Sequence, residues 1–183
     1  QAETLYCFKV QQIPVDEEGF VDPEMFLAYI DKDVSLISIQ LVNHEIGTIQ
    51  NIKELVRIAK EINPNVIFHT DAADAFGRMR IDVKDLGVDM LTISSHKIHG
   101  PRGVGALFIR QGTRIEPILY GQLSSEKFWP GVENIPLIAG FRKAIELAYN
   151  NFDSNLAKVK RLRDKLVNGV LDSVPEVLIN GPT

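Results

Sequence analysis

VSLISIQLV, residues 34–42, is an apolar run of strand length. A strand that reads this way belongs to a sheet covered on both faces, as happens when crossover helices lie over a parallel sheet. The neighbouring segments supply those helices. Upstream, Asp22 can cap a short helix, with Pro23 at its first position and MFLAYI after it. Downstream, Ile52, Leu55, Val56, Ala59 and Ile62 fall on one helical face, and Asn63-Pro64-Asn65 stops that helix. VIFHTD (66–71) reads as the next strand, Asp82 to Gly87 as a short helix, and DMLTISS (89–95) and VGALFIR (104–110) as two more strands. Long helices are expected from about Ile135 to Tyr149 and from about Ser154 to Val174. Two further strands are expected at the ends, over residues 5–10 and in PEVLIN (175–180), and VDEEGFV (15–21) reads as a turn-bearing connection. Strands alternating with helices at this spacing give βαβ units. The fold class is therefore α/β, a mainly parallel sheet flanked by helices. The two long helices and the strand after them suggest the start of a smaller α+β domain. The expected division is 1–133 for the large domain and 134–183 for the connecting helices and the start of the small one.

Composition narrows the function classes. Lys and Arg total 20 against 24 Asp and Glu, a net charge of -4, so no basic footprint points to nucleic acid. No apolar run reaches the length of a membrane-spanning helix, and the opening QAETLYCFKV lacks the layout of a signal peptide. The lone Cys7 cannot form an internal disulfide, which fits a reducing, cytoplasmic setting, and it reads as a packing residue. No His/Cys spacing suggests a metal site. The chain opens without Met and stops at NGPT just after an expected strand, as a piece of a larger protein would.

In open parallel sheets, ligands bind beyond the carboxyl ends of the strands. Those ends carry NHEIGT (43–48), TDAADAFG (70–77) and SSHKIHG (94–100). Asp71 ends an apolar strand, where a carboxylate is costly unless something offsets it. It could cap the following turn, pair with Lys97 as a plain ion pair, or serve with Lys97 in pyridoxal-phosphate chemistry. That chemistry needs a lysine to join the cofactor aldehyde and an acid to keep the ring nitrogen protonated. Ser94, Ser95 and His96 offer hydroxyls and an imidazole that can hold a phosphate. Gly100, Gly103 and Gly105 let the chain turn, but the phosphate-loop pattern GxxxxGK[ST] is absent.

DMLTISSHKIHGPRGVGALFIR closely resembles the cofactor-lysine segment of the cysteine desulfurases, in the class V aminotransferase group of fold type I pyridoxal-phosphate enzymes. VNHEIGTIQNI resembles their NNEIG-type segment and HTDAADAFG their HVDAAQ-type segment, in the same order and spacing. The resemblance implies the large domain of a pyridoxal-phosphate-dependent transferase. It makes Lys97 the Schiff-base lysine and proton carrier, Asp71 the partner of the pyridine nitrogen, and Ser94 and His96 phosphate contacts. His44 and Asp74 become further cofactor-binding positions. It implies pyridoxal 5'-phosphate as cofactor and no metal. L-cysteine is the implied substrate, with alanine and an enzyme persulfide as products. The sulfur would serve iron–sulfur cluster assembly or another sulfur-transfer route. The implied protein is a homodimer that works with a scaffold or other sulfur acceptor protein. The same residues leave room for a selenocysteine lyase, a class V aminotransferase, or a silent relative that acts as an assembly partner.

This chain departs from the family pattern at three positions around the cofactor. His44 replaces the second Asn of NNEIG, and its imidazole can still donate a hydrogen bond. Asp74 replaces the Gln that donates toward the cofactor's phenolic oxygen; ionised, it would repel that oxygen, and protonated, it could donate to it. WPGVEN (129–134) stands for RSGTEN, and Val132 has no hydroxyl for the phosphate. Family members run about twice this length, and Cys7 lies ahead of the first matched motif, so it does not correspond to the sulfur-accepting cysteine.

Overall fold

The computed structural model describes residues 8–121, 128 and 130–182. In chain order the elements are α1 (Pro23–Leu27), β1 (Leu36–Gln40), α2 (Ile52–Ile62), β2 (Ile67–Asp71), α3 (Val83–Leu86), β3 (Met90–Ser94), a 3-10 turn (His96–Ile98), β4 (Gly105–Ile109), α4 (Ile135–Asn150) and α5 (Phe152–Ser173). The four strands form one sheet in the order β1-β2-β3-β4. β1, β2 and β3 run parallel, so the segments after Gln40, Asp71 and Ser94 emerge on one edge. β4 returns antiparallel to β3 after only a short loop. Parallel pairing would have required a long crossover there.

Local chemistry sets these limits. The Asp22 side chain accepts from the Met25 N–H at 2.8 Å and starts α1, with proline in the first turn. The Asn51 side chain caps α2. Asp82 caps α3, and Gly87 ends it in the left-handed region at φ 75°. Asp89 anchors the amino-terminal edge of the sheet: its Oδ2 accepts from the Phe68 N–H at 2.8 Å and from Lys60 Nζ at 2.6 Å.

The core lies on one side of the sheet. Ile37, Ile39, Phe68 and Leu91 are buried in one cluster with Leu55, Val56 and Ala59 of α2 and Phe26 of α1. A smaller cluster joins Ile98 to Phe141 and Ala144, seating α4 on the loop that carries Lys97. The opposite face of the sheet is uncovered among the described residues. Leu36 and Leu107 on it are 56% and 49% exposed. The residues that face outward on β1, Leu36, Ser38 and Gln40, are partly polar, and the apolar run buries Ile37, Ile39 and Leu41.

Residues 5–7 of the strand expected over 5–10, with Cys7, lie outside the described residues, and residues 8–10 belong to none of the strands β1–β4. The strand expected over residues 175–180 does not form among the described residues. Leu178 is 88% exposed there, and no described strand lies beside the segment to share a ladder. The long helices form as expected, the second beginning at Phe152 rather than Ser154.

Candidate active site

Asp71 is the last residue of β2 and is exposed. Its Oδ1 accepts the Ala73 N–H at 2.8 Å, so it caps the turn that opens AADAFG. The turn is fixed further by the Ala72 N–H donating to Thr92 O at 2.9 Å and the Phe76 N–H donating to Ala72 O at 2.8 Å. Asp71 sits opposite Gln40 on β1 and Thr92 on β3, at the middle of the parallel edge.

Lys97 lies in the 3-10 turn directly after β3. The sequence allowed an ion pair between it and Asp71, but the structure makes that pair with Asp74. Lys97 Nζ donates to Asp74 Oδ1 at 3.0 Å and Oδ2 at 3.2 Å. The two loops that hold this pair are fastened together. Arg78 donates to the backbone carbonyl of Asp74 at 2.8 Å and to that of Lys97 at 3.3 Å, and its guanidinium is 3.8 Å from the Asp74 carboxylate. Gly77, at φ 76°, lies so close to Ile98 that a Cβ there would be 2.6 Å from Ile98 Cγ2.

Ser94 Oγ and His96 Nδ1 are 2.8 Å apart, so a hydroxyl and an imidazole stand paired beside Lys97. Between them in sequence, Ser95 is fully buried and its hydroxyl has no hydrogen-bond partner. The Ser95 carbonyl accepts from the Ile98 and Gly100 N–H groups at 3.1 and 3.0 Å, which closes the 3-10 turn. His44 is exposed in the turn after β1, where the Asn43 side chain accepts from the Glu45 and Ile46 N–H groups. Asp71, Ser94, His96 and Lys97 therefore share the ends of two adjacent strands, and His44 lies past the end of the next one. Val132 is 93% exposed ahead of α4, and residues 130–134 of WPGVEN lie within the described residues.

His69 was not among the residues the sequence singled out. It stands two residues before Asp71 on the open sheet face. Its Nδ1 is 2.8 Å from Ser38 Oγ on β1, and its Nε2 is 2.8 Å from Thr92 Oγ1 on β3. Burial pushes its imidazole below the ordinary histidine value, and the charge of Asp71 opposes that shift. The available signal was its place at i-2 from Asp71, which puts both on one face of the strand. Among the described residues, no group of three or more His, Cys, Asp or Glu is placed to hold a metal ion.

The sequence model of the aminotransferase class-V family matches residues 1–183. The chain belongs to that family. Among its relatives, the cysteine desulfurase IscS of Dictyoglomus turgidum is 45% identical over 175 residues, which cover 96% of this chain and 44% of the relative. A solved NifS-like protein superposes with a TM-score of 0.88 at 36% identity, over 92% of this chain and 46% of that one. The structure of SspA in complex with cysteine superposes at 0.71 and 35% identity, over 76% of this chain and 40% of that one. The chain thus spans about half the length, or less, of the relatives it matches.

Proposed function

We propose that this chain carries the cofactor-binding centre of a pyridoxal 5'-phosphate-dependent cysteine desulfurase that takes sulfur from L-cysteine and leaves alanine. The observation that carries the reading is the placement of Lys97 and Asp71 at the ends of adjacent parallel strands, beside the Ser94–His96 pair. The names and titles of the similar proteins support the substrate. The donor set fits the cofactor. It offers one amine, one exposed carboxylate, and a hydroxyl with an imidazole, all on one edge.

When bound, pyridoxal phosphate supplies an aldehyde for attachment and a ring that takes up electron density from the substrate carbon. Lys97 is the residue that would attach, and its amine, once free, can carry a proton at Nζ. Asp71, already fixed by the Ala73 N–H, would hold a proton on the ring nitrogen. The Ser94 hydroxyl and the His96 imidazole would meet the phosphate, and His44 would donate from the neighbouring strand end. Asp74 stands at the Lys97 nitrogen.

On this reading, residues 1–133 are part of the large cofactor domain and 134–183 lead into a smaller one. The sulfur passes to a cysteine other than Cys7 and then to an iron–sulfur scaffold or another acceptor protein. The protein acts as a homodimer in the cytoplasm. Among the described residues, no helix is long and apolar enough to cross a membrane.

The test uses the intact gene product with pyridoxal phosphate and borohydride, followed by peptide mapping. The label is expected on the peptide that contains Lys97 and is lost in Lys97→Ala. Asp71→Ala is expected to slow alanine production while the label remains. No label on Lys97 under excess cofactor would end this reading and favour a silent relative that acts as an assembly partner.

A further inference from the structure

We infer that Asp74 holds Lys97 in reserve: in the protein without cofactor, the carboxylate ties up the lysine nitrogen and slows its attack on any aldehyde. The inference rests on the reading of Lys97 as the attachment point. It goes beyond that reading because it gives Asp74 a task before any cofactor arrives.

The geometry is specific. Both carboxylate oxygens of Asp74 accept from Lys97 Nζ, at 3.0 and 3.2 Å. The pair is not a chance meeting of two long side chains. Arg78 binds the backbone carbonyls of both residues, and Gly77 packs against Ile98, so the two loops meet in a fixed register. Holding the backbones lowers the entropy that an exposed ion pair otherwise gives up. The lysine and aspartate side chains are 35% and 25% exposed, so a small aldehyde in solvent can still reach the nitrogen.

Condensation needs the free amine. Its lone pair attacks the aldehyde carbon and a C–N bond forms. The aldehyde oxygen then leaves as water, taking the two amine hydrogens, and a C=N bond remains. An ammonium has no lone pair, so it must first lose a proton. To reach an aldehyde, the Lys97 nitrogen must also turn away from Asp74 and give up two charge-assisted hydrogen bonds. A neutral amide at position 74, which the family pattern carries as Gln, would hold the nitrogen only through weaker, uncharged hydrogen bonds. Asp74 is therefore a positioning residue that sets how readily Lys97 reacts.

The experiment treats the cofactor-free gene product with formaldehyde and cyanoborohydride, which reduces each C=N bond as it forms. The rate of methylation at Lys97 is read by mass spectrometry. Asp74→Asn and Asp74→Gln are expected to label Lys97 about threefold to tenfold faster than the unaltered protein, the range set by a partly exposed, hydrogen-bonded pair. Asp74→Glu, which keeps the charge, is expected to stay within about twofold of the slow rate. Other lysines serve as internal references, so a general loosening of the fold would be seen as faster labelling everywhere. Equal Lys97 rates in the unaltered protein and Asp74→Asn would overturn the inference, as would acceleration that extends to all lysines. A parallel arm with pyridoxal phosphate separates the two claims. A formaldehyde rate difference without any attachment of pyridoxal phosphate to Lys97 supports the restraint by Asp74 and refutes the cofactor reading.

Discussion

Gly100→Ala tests how tightly the loop that carries Lys97 is packed. A Cβ at position 100 would lie 2.2 Å from Ser95 Oγ, 3.0 Å from Ser95 O and 3.1 Å from Ala144 Cβ. Carbon atoms settle at about 3.5–4.0 Å, so all three contacts are too close. The Ser95 hydroxyl can rotate, but the Ser95 carbonyl is held by the Ile98 and Gly100 N–H groups and Ala144 is buried on α4. Overpacking of this kind costs about 1–3 kcal/mol, and three simultaneous contacts put the expected cost at about 2–3 kcal/mol. Ser95→Ala removes the closest atom, and that hydroxyl is buried without a partner, so its loss should cost nothing or stabilise by up to about 1 kcal/mol. With Ser95 already Ala, Gly100→Ala should cost only about 1 kcal/mol, because the carbonyl and Ala144 contacts remain. The coupling is then about 1–2 kcal/mol, well above the scatter for independent sites. Urea unfolding of the four proteins in the cycle reads it directly. An equal cost of Gly100→Ala in both backgrounds would refute the reasoning, since the Oγ overlap would then carry none of the strain.

Other perturbations follow from the same structure. His69 is pushed toward the neutral form by burial, so the unfolded chain binds its proton more tightly; stability should rise with pH below about 6.5 and His69→Gln should flatten that slope, seen in unfolding midpoints across pH. Asp89→Ala leaves the Phe68 N–H without its acceptor and Lys60 with only the Val66 carbonyl, on a nearly buried edge, and should cost about 3 kcal/mol in a denaturant titration. Asp22→Ala removes the cap of α1 and should cost about 1 kcal/mol, with faster amide exchange confined to residues 23–28. The 183-residue chain by itself should associate in solution, since Leu36 and Leu107 lie exposed on an uncovered sheet face, and a monodisperse monomer in sedimentation would count against that expectation.

The strands and long helices were legible because their signals are local. The apolar period marked α2, and the Asp22 and Asp82 caps and the Asn63-Pro64-Asn65 stop sit within a turn of what they control. The three parallel strand ends could be read as one edge for the same reason, since βαβ spacing leaves few alternatives. In the 34–42 run, hydropathy alone does not say which residues are covered within these 183 residues; Leu36 is apolar and yet exposed. PEVLIN has strand-like residues but no strand beside it among the described residues, and pairing is a property of two segments. At the site, the candidate residues were visible as polar groups at strand ends. Their partners were not. Asp71 and Asp74 are both near Lys97 in any reading of spacing, and only the turn geometry, with Asp71 used on Ala73 N–H, decides which carboxylate meets the amine. His69 was hidden because its bonds run sideways to residues 31 and 23 positions away.

Those sideways bonds give the sheet a sense of direction. A neutral imidazole donates from one nitrogen and accepts at the other. If His69 donates to Ser38, the Thr92 hydroxyl must donate to His69; if it donates to Thr92, the Ser38 hydroxyl must turn toward it. The three side chains thus form a string with two opposite polarities and no backbone displacement between them. A charge placed at one end of the string would select a polarity, and the strand at the other end would register the choice as a rotated hydroxyl. Protonating His69 would erase the choice, because both ring nitrogens then donate and both hydroxyls must accept.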